Sequence, residues 1–485
     1  MKKYVLSTIA LMLPLGGCTL WQDFQQPGTA APQGWSTEAG TDAKPAWPDA
    51  QWWKEFNSPA LNEQLEQASK ENFDLKAATA RVREADAQAR INGAALVPAI
   101  GANASAGRTR SPGFNGSQGS SSSRTGNAFN GTLNASYEID FWGKNYSAAQ
   151  SARDLARASR FDQETVRLST LSAVATNYFT ILGTQERLAV ARSNLSNAEQ
   201  LMYTIQKRFT VGVATALDVA QQESVVATQR ASLPPLEQTL RQAMDAQAIL
   251  LGKLPEDVQQ PQAKLTDIAV PEVGAGIPSE LLERRPDVKN AEAQLASAHA
   301  DIVTARAQFF PSISLTGEGG YESAALSGLF RPESVLWSAV ASLAQPIFEG
   351  GLLQGQLDLR KARYDELLQD YRKSAISAFS DVEDALVAVK QTAAEEQAQE
   401  LAAKTARRAY QLTQQQLKGG IVDITTVLNI QRTLFAAEDA LVQARLSHLQ
   451  AIVGLYKALG GGWKNGDAVP DQPPEPTMTE DWLGF

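Results

Sequence analysis

Hydrophobic and polar positions along this chain repeat with two periods, and the changes between them are sharp. Ala291, Leu295, Ala298, Ile302 and Ala305 recur at three- and four-residue steps, the period of a helix face. Just beyond, Ile313, Leu315 and Tyr321 alternate with Ser312, Ser314, Thr316 and Glu318, the period of a strand. Pro311 stands between the two patterns. It has no amide proton and biases the residue before it away from helical geometry, so the helix is expected to stop here. The same change occurs at Pro98, where Ala94, Ala95, Leu96 and Val97 lead into a strand-like run from Ile100 to Ser105. Two such switches predict a duplicated unit.

Taken in order, residues 1–17 read as a secretory leader and 18–58 as an extended arm carrying Trp21, Trp35, Trp47, Trp52 and Trp53. The first repeat, 59–252, is expected to hold one helix from Pro59 to Leu96, a strand from Ile100 to Arg108 and a Ser/Gly-rich solvent loop from Ser111 to Gly126. In its second strand Phe129, Leu133, Ala135, Tyr137, Ile139 and Phe141 take one face; Asn130, Thr132, Asn134, Ser136, Glu138 and Asp140 take the other. A helix from Gly143 to Phe209 follows, with Leu188, Ala191, Leu195, Ala198, Met202, Ile205 and Phe209 as a heptad seam. Roughly 65 helical residues span about 100 Å at the standard rise. After a break at Val211–Ala214, a helix from Thr215 to Leu251 has Pro234 and Pro235 as a candidate bend. Residues 253–277 form a proline-rich linker. The second repeat, 278–463, gives helix 287–310, strands 312–322 and 335–347, helix 351–418, a break at Gly419-Gly420 and helix 424–459. Gly212 and Gly420 are 208 residues apart, as are Gly252 and Gly460, while Pro98 and Pro311 are 213 apart. The tail, 464–485, is acidic and proline-rich, and is expected to be disordered.

Composition narrows the function classes. The 44 Lys+Arg against 53 Asp+Glu argue against nucleic acid as partner. Two histidines, one cysteine and the absence of HExxH, GxxxxGK[ST] or paired CxxC motifs speak against an enzyme, a metal site or a bound cofactor. Lys2 and Lys3 precede a short apolar run to Leu15, and Leu15-Gly16-Gly17-Cys18 resembles the lipobox of bacterial lipoproteins. That resemblance implies cleavage before Cys18, diacylglycerol on its sulfur and a fatty acyl chain on its amine. Thr19, in place of aspartate, implies sorting to the outer membrane. No other stretch approaches the ~18 apolar residues of a spanning helix, so a membrane crossing would need strands in a closed barrel. The alternation of the second strand suits a lipid-facing and a lumen-facing row, and equally a half-buried strand of a soluble sheet; Phe141 and Trp142 at its end favour the membrane. Pro98, Trp142, Pro311 and Phe348 then mark the membrane boundary. Four strands per chain cannot close, so the chain must oligomerise: two copies give eight strands with a filled lumen, three give twelve with room for a hole.

Three runs carry a family resemblance: Leu281-Leu282-Glu283-Arg284-Arg285-Pro286-Asp287-Val288, Ala307-Gln308-Phe309-Phe310-Pro311-Ser312-Ile313-Ser314-Leu315-Thr316, and Gln345-Pro346-Ile347-Phe348-Glu349-Gly350-Gly351. In this order they resemble the outer-membrane factor (TolC-like) channels, and among them the lipoprotein branch (NodT-type) of tripartite efflux pumps. The resemblance implies an α+β membrane protein: a homotrimeric twelve-stranded β-barrel, four strands per chain, continuous with a long periplasmic α-helical barrel. It implies as partners a periplasmic membrane-fusion adaptor, an inner-membrane resistance-nodulation-division transporter and outer-membrane lipid. It places the closed end, and the adaptor contact, at the helix turns, here Val211, Gly212, Val213 and Asp218, and Gly419, Gly420, Asp423 and Arg432. An acidic residue is commoner in the family where this chain has Val422 and Asn429. Asp218, Asp423 and Arg432 also suit ordinary helix ends and caps. The implied function is passive exit of small molecules; the alternatives are a channel for type I protein secretion and a non-channel coiled-coil lipoprotein tether.

Overall fold

The computed structural model describes residues 24–28, 32, 34–36, 47–111, 124–274 and 276–464. The leader, Cys18, most of the Ser/Gly-rich loop and the acidic tail lie outside the described residues. The helices are α1 (Pro59–Glu71), α2 (Phe73–Gly93), α3 (Lys144–Thr210), α4 (Ala216–Leu251), α5 (Pro278–Arg284), α6 (Pro286–Ala307), α7 (Leu352–Lys418) and α8 (Ile424–Ala458). The strands are β1 (Ala99–Ser111), β2 (Arg124–Ile139), β3 (Ser312–Ser323) and β4 (Val335–Ala344).

Several expected boundaries move. The first helix is not continuous from 59 to 96. Asn72 adopts extended backbone (φ −60, ψ 133) between α1 and α2. Its Oδ1 accepts the amides of Asp74 and Leu75 at 2.9 and 3.1 Å, capping the second helix. A one-residue break leaves the apolar face nearly in phase, so periodicity does not register it. α6 stops at Ala307 rather than 310, and β4 at Ala344 rather than 347, just before Pro346, which has no amide for a ladder. Pro234 and Pro235 both lie inside α4, which runs on past them.

The chain forms two compact units, each drawing on both repeats. One gathers Ala85–Ala156 and Ala293–Leu368 with Phe24–Pro27, as far as these residues are described. Its strands make one antiparallel sheet in the order β1-β2-β3-β4. The register sets Ala102 opposite Leu133, Leu133 opposite Gly319 and Gly319 opposite Trp337. Because opposed residues share a face, one face collects Ile100, Ala102, Leu133, Ala135, Ile139, Ile313, Leu315, Trp337, Ala341 and Leu343. The other collects Asn103, Thr132, Asn134, Glu138, Ser314, Thr316, Glu318, Ser338 and Ser342, with Leu336 and Val340 as its large apolar members. β1 and β4 are the edges.

The other unit gathers the described residues of Gly28–Glu84, Arg157–Glu292 and Gln369–Lys464. One core packs Trp52, Phe56, Leu61, Leu65, Tyr178, Phe179, Leu251, Leu265, Ile268, Leu449, Ile452 and Tyr456. Trp52 of the arm stacks on Tyr456 with ring centroids 4.9 Å apart, and the Tyr456 hydroxyl donates to Glu55 at 2.6 Å. A second core of Ala198, Leu201, Ile205, Val225, Tyr410, Leu417, Ile424, Val427 and Leu428 joins α3, α4, α7 and α8. The duplication is visible in backbone contacts. A Cβ on Gly252 would lie 2.5 Å from the Glu71 carbonyl oxygen, and one on Gly460 would lie 2.2 Å from that of Arg284.

Candidate functional site

The sheet shows what its apolar face is for. A face meant for a protein core is covered by one; here Ile100 is 78% exposed, Trp337 80% and Leu343 71%. A broad exposed apolar surface backed by a polar one needs an apolar solvent on the first side and water on the second. Among the described residues no helix is long and apolar enough to cross a membrane.

Two of the four expected boundary residues are brought together. Trp142 Nε1 donates to the Pro311 carbonyl at 2.8 Å, and its ring stacks on Phe310 with centroids 4.7 Å apart. The turn between β2 and α3 is held by Asp140, which accepts the amides of Asn145 and Tyr146 at 3.0 and 2.7 Å and so satisfies the open N-terminus of α3. The alternation along β2 places Asp140 only in the polar row of the strand. Pro98 and Phe348 are exposed and join neither contact. Gln345 ties the end of β4 to the turn after α6 through the Phe309 carbonyl at 3.1 Å.

The two helix turns are built alike. Gly212 (φ +77) and Gly420 (φ +72) adopt the left-handed conformation that ends a helix in a tight reversal. The Val213 amide returns to the Arg208 carbonyl at 2.9 Å, and the Ile421 amide to the Gln416 carbonyl at 2.9 Å. Val211, Val213 and Ile421 project their side chains into solvent, Val211 at 73% exposure and Ile421 at 75%, and Gly419 is exposed beside them.

Each turn then opens a helix with an Asp/Thr pair, used in opposite order. Thr215 caps α4, accepting the Asp218 amide at 3.2 Å, while Asp218 accepts the Thr215 amide at 2.7 Å, a reciprocal capping box. Asp423 caps α8 and accepts the Thr426 amide at 2.7 Å. The Thr426 side chain and amide hold the Asp423 carboxyl below its usual range. Both expected gate carboxylates are thus helix caps, Asp423 exposed and Asp218 half-buried. Arg432 meets neither: it is exposed on α8 beside a cleft of about 500 Å³ lined also by Arg187, Asn194, Pro235 and Asp439, and has no ion pair among the described residues. Missing from the expected set is Arg208, whose Nη1 donates to the Leu417 carbonyl at 3.0 Å and links the two turns. A bond between residues 209 apart leaves no local signal in the sequence.

A sheet with one lipid-type face, one polar face and two open edges, carried with long helices that reverse at glycines, defines a subunit of an outer-membrane channel. The profile of the outer membrane efflux protein family matches residues 64–253 and 277–461. The pyoverdine export outer membrane protein OpmQ of Pseudomonas aeruginosa is 42% identical over 465 residues, 95% of this chain and 97% of that protein. The toluene efflux pump outer membrane protein TtgF of Pseudomonas putida is 35% identical over 485 residues, 97% and 99% of the two chains. Among solved structures, the outer-membrane channel OprN superposes with a TM-score of 0.86 at 28% identity, over 92% of this chain and all of its own. The Campylobacter jejuni CmeC outer membrane channel gives 0.85 at 26% identity, over 92% and 96%. The chain belongs to the outer membrane efflux protein family. It is an α+β outer-membrane efflux channel protein, not an enzyme.

Proposed function

We propose that the chain is the exit duct of a tripartite efflux pump, working as a homotrimer. The observation that carries this is the four-stranded sheet with an exposed apolar face and two unpaired edges, β1 and β4. Open edges are not tolerated in lipid, so the edges must pair with other copies. Three copies close twelve strands into a barrel with a water-filled lumen lined by the Asn103, Thr132, Asn134 and Glu318 face; two copies would fill theirs. The long helices of three copies line a tunnel through the periplasm, closed at the Gly212 and Gly420 turns. Three symmetric copies of Asp218, Asp423 and Arg432 put charge around that end, and the exposed Val211, Val213 and Ile421 offer the apolar contact for a periplasmic membrane-fusion adaptor. An inner-membrane resistance-nodulation-division transporter supplies the substrate and the energy, and the chain conducts passively. Pyoverdine export and toluene efflux in the names of its relatives support small molecules as cargo rather than unfolded protein. Diacylglycerol and a fatty acyl chain on Cys18 anchor the chain to the outer membrane.

Planar-bilayer recording of the purified protein tests the duct: stepwise conductance is expected, and a protein that assembles but never conducts would be a tether. Intact-mass measurement of the wild type against Cys18→Ala tests the anchor, the unmodified mass in both ruling it out. Deletion of the gene followed by growth on a drug and metal panel identifies the cargo.

A further inference from the structure

Arg208 stands at the centre of both helix turns. Its backbone carbonyl closes the first, accepting the Val213 and Ala214 amides at 2.9 and 3.2 Å. Its guanidinium crosses to the second, where Nη1 donates to the Leu417 carbonyl at 3.0 Å. That carbonyl already accepts the Gly420 amide at 3.1 Å, so the guanidinium lies on the C-terminus of α7, at the hinge glycine itself. The last carbonyls of a helix carry partial negative charge and lack intrahelical partners, which favours a cation there. Below this bond the Leu417 side chain is buried in the core shared by α3, α4, α7 and α8.

The link runs one way. Gln416 occupies in the second repeat the place of Arg208 in the first, 208 residues on, and is exposed. Among the described residues it makes no bond to the Phe209 carbonyl. The first hairpin therefore holds the second, and among the described residues no equivalent bond from Gln416 holds the first. A charge-assisted hydrogen bond from a half-buried arginine to an uncharged carbonyl is strong enough to bias a position and weak enough to break when a partner pulls.

We propose that Arg208 is the latch that keeps the α7–α8 turn in its closed position, and that opening requires the Arg208–Leu417 bond to part. It is a positioning residue: it acts through the Leu417 carbonyl and the Gly420 turn, not on cargo. The inference rests on the reading of these turns as the closed end of a channel.

Planar-bilayer recording in potassium chloride compares the full-length wild type with Arg208→Ala, Arg208→Lys and the mirror control Gln416→Ala. Loss of a charge-assisted bond predicts about a tenfold rise in the open-to-closed ratio for Arg208→Ala. Arg208→Lys, with its charge on one nitrogen of shorter reach, falls between it and the wild type. Gln416→Ala matches the wild type, and melting temperatures are expected to agree across the set, which separates a latch from general loosening. Conducting channels with equal open fractions in wild type and Arg208→Ala overturn the latch and leave the channel reading standing. No conductance from any of the four proteins removes the channel reading and the latch with it. If Arg208→Ala fails to assemble, an open fraction for Arg208→Lys equal to that of the wild type overturns the latch.

Discussion

Asn72 and Arg285 hold the same place in the two repeats, 213 residues apart, and each bonds to the end of its own repeat's last helix. Asn72 Nδ2 donates to the Leu250 carbonyl at 2.9 Å, and Arg285 Nη1 to the Ala458 carbonyl at 3.4 Å. The duplicated chain has kept the contact and changed the chemistry. Arg285 also forks onto Asp287 at 3.0 and 2.6 Å and pairs with Asp381 of α7 at 2.9 Å, with only 11% of its side chain exposed. Burial opposes its charge, but the two carboxylates more than restore it and raise its pKa.

Arg285→Ala leaves Asp287 and Asp381 without their shared partner and is expected to cost ~3 kcal/mol, against ~1 kcal/mol for Asn72→Ala. Arg285→Lys is expected to recover only part, because an ammonium cannot fork. Denaturant melts of the detergent-solubilised protein measure all three; equal losses at positions 72 and 285 would refute the asymmetry.

Gly252→Ala and Gly460→Ala each drive a methyl group into backbone, Glu71 in one case and Arg284 in the other, at φ of +66 and +84. Backbone cannot move aside as a side chain can, so each is expected to lower stability by ~2 kcal/mol or more. Gly212→Ala, with the same sign of φ but open space around its Cβ, should cost about 1 kcal/mol. Thermal unfolding of the three variants ranks them.

Asp423 is a helix cap and also an exposed charge, and two substitutions separate these roles. Asp423→Ser keeps a capping oxygen and removes the charge; Asp423→Ala removes both. If three carboxylates shape the field at the closed end, both variants raise single-channel conductance alike. A serine variant that conducts like the wild type would reduce Asp423 to a cap and take it out of the gate.

Glu396 of α7 accepts His448 Nδ1 at 2.6 Å on one oxygen and Arg445 Nη1 at 2.6 Å on the other, while Arg445 also donates to the Ile268 carbonyl at 2.8 Å. Burial pushes the carboxyl up, but the hydrogen bonds and charges of His448 and Arg445 outweigh it and hold the pKa below 4.5. A depressed carboxylate contributes stability that is fully present above its unfolded value and is lost as pH falls through the folded one. The wild type should therefore melt above Glu396→Gln at neutral pH, and the gap should close only below pH 4.5. Melting curves from neutral pH down to about pH 3 test this; a gap that stays constant would mean that Glu396 contributes packing rather than charge.

Much of the molecule was legible in its hydrophobic periods. The change at Pro311 placed the boundary between α6 and β3, the alternation from Phe129 to Ile139 placed both faces of β2, and the 208-residue spacing of the glycines placed both reversals. These are local properties: a period of two or 3.6 and a residue that adopts positive φ act within a few positions of the chain. Only the tertiary structure decided the sheet order, the break at Asn72, the capping by Asp140, the bond from Trp142 to Pro311 and the hold of Arg208 on Leu417. Each depends on which carbonyl or amide is left without a partner once distant segments meet, and no pattern along the chain encodes that. The same distinction holds for the caps at Asp218 and Asp423. Composition can place Asp218 and Asp423 after a glycine turn, but whether a carboxylate caps a helix is fixed by the amides within its reach in three dimensions.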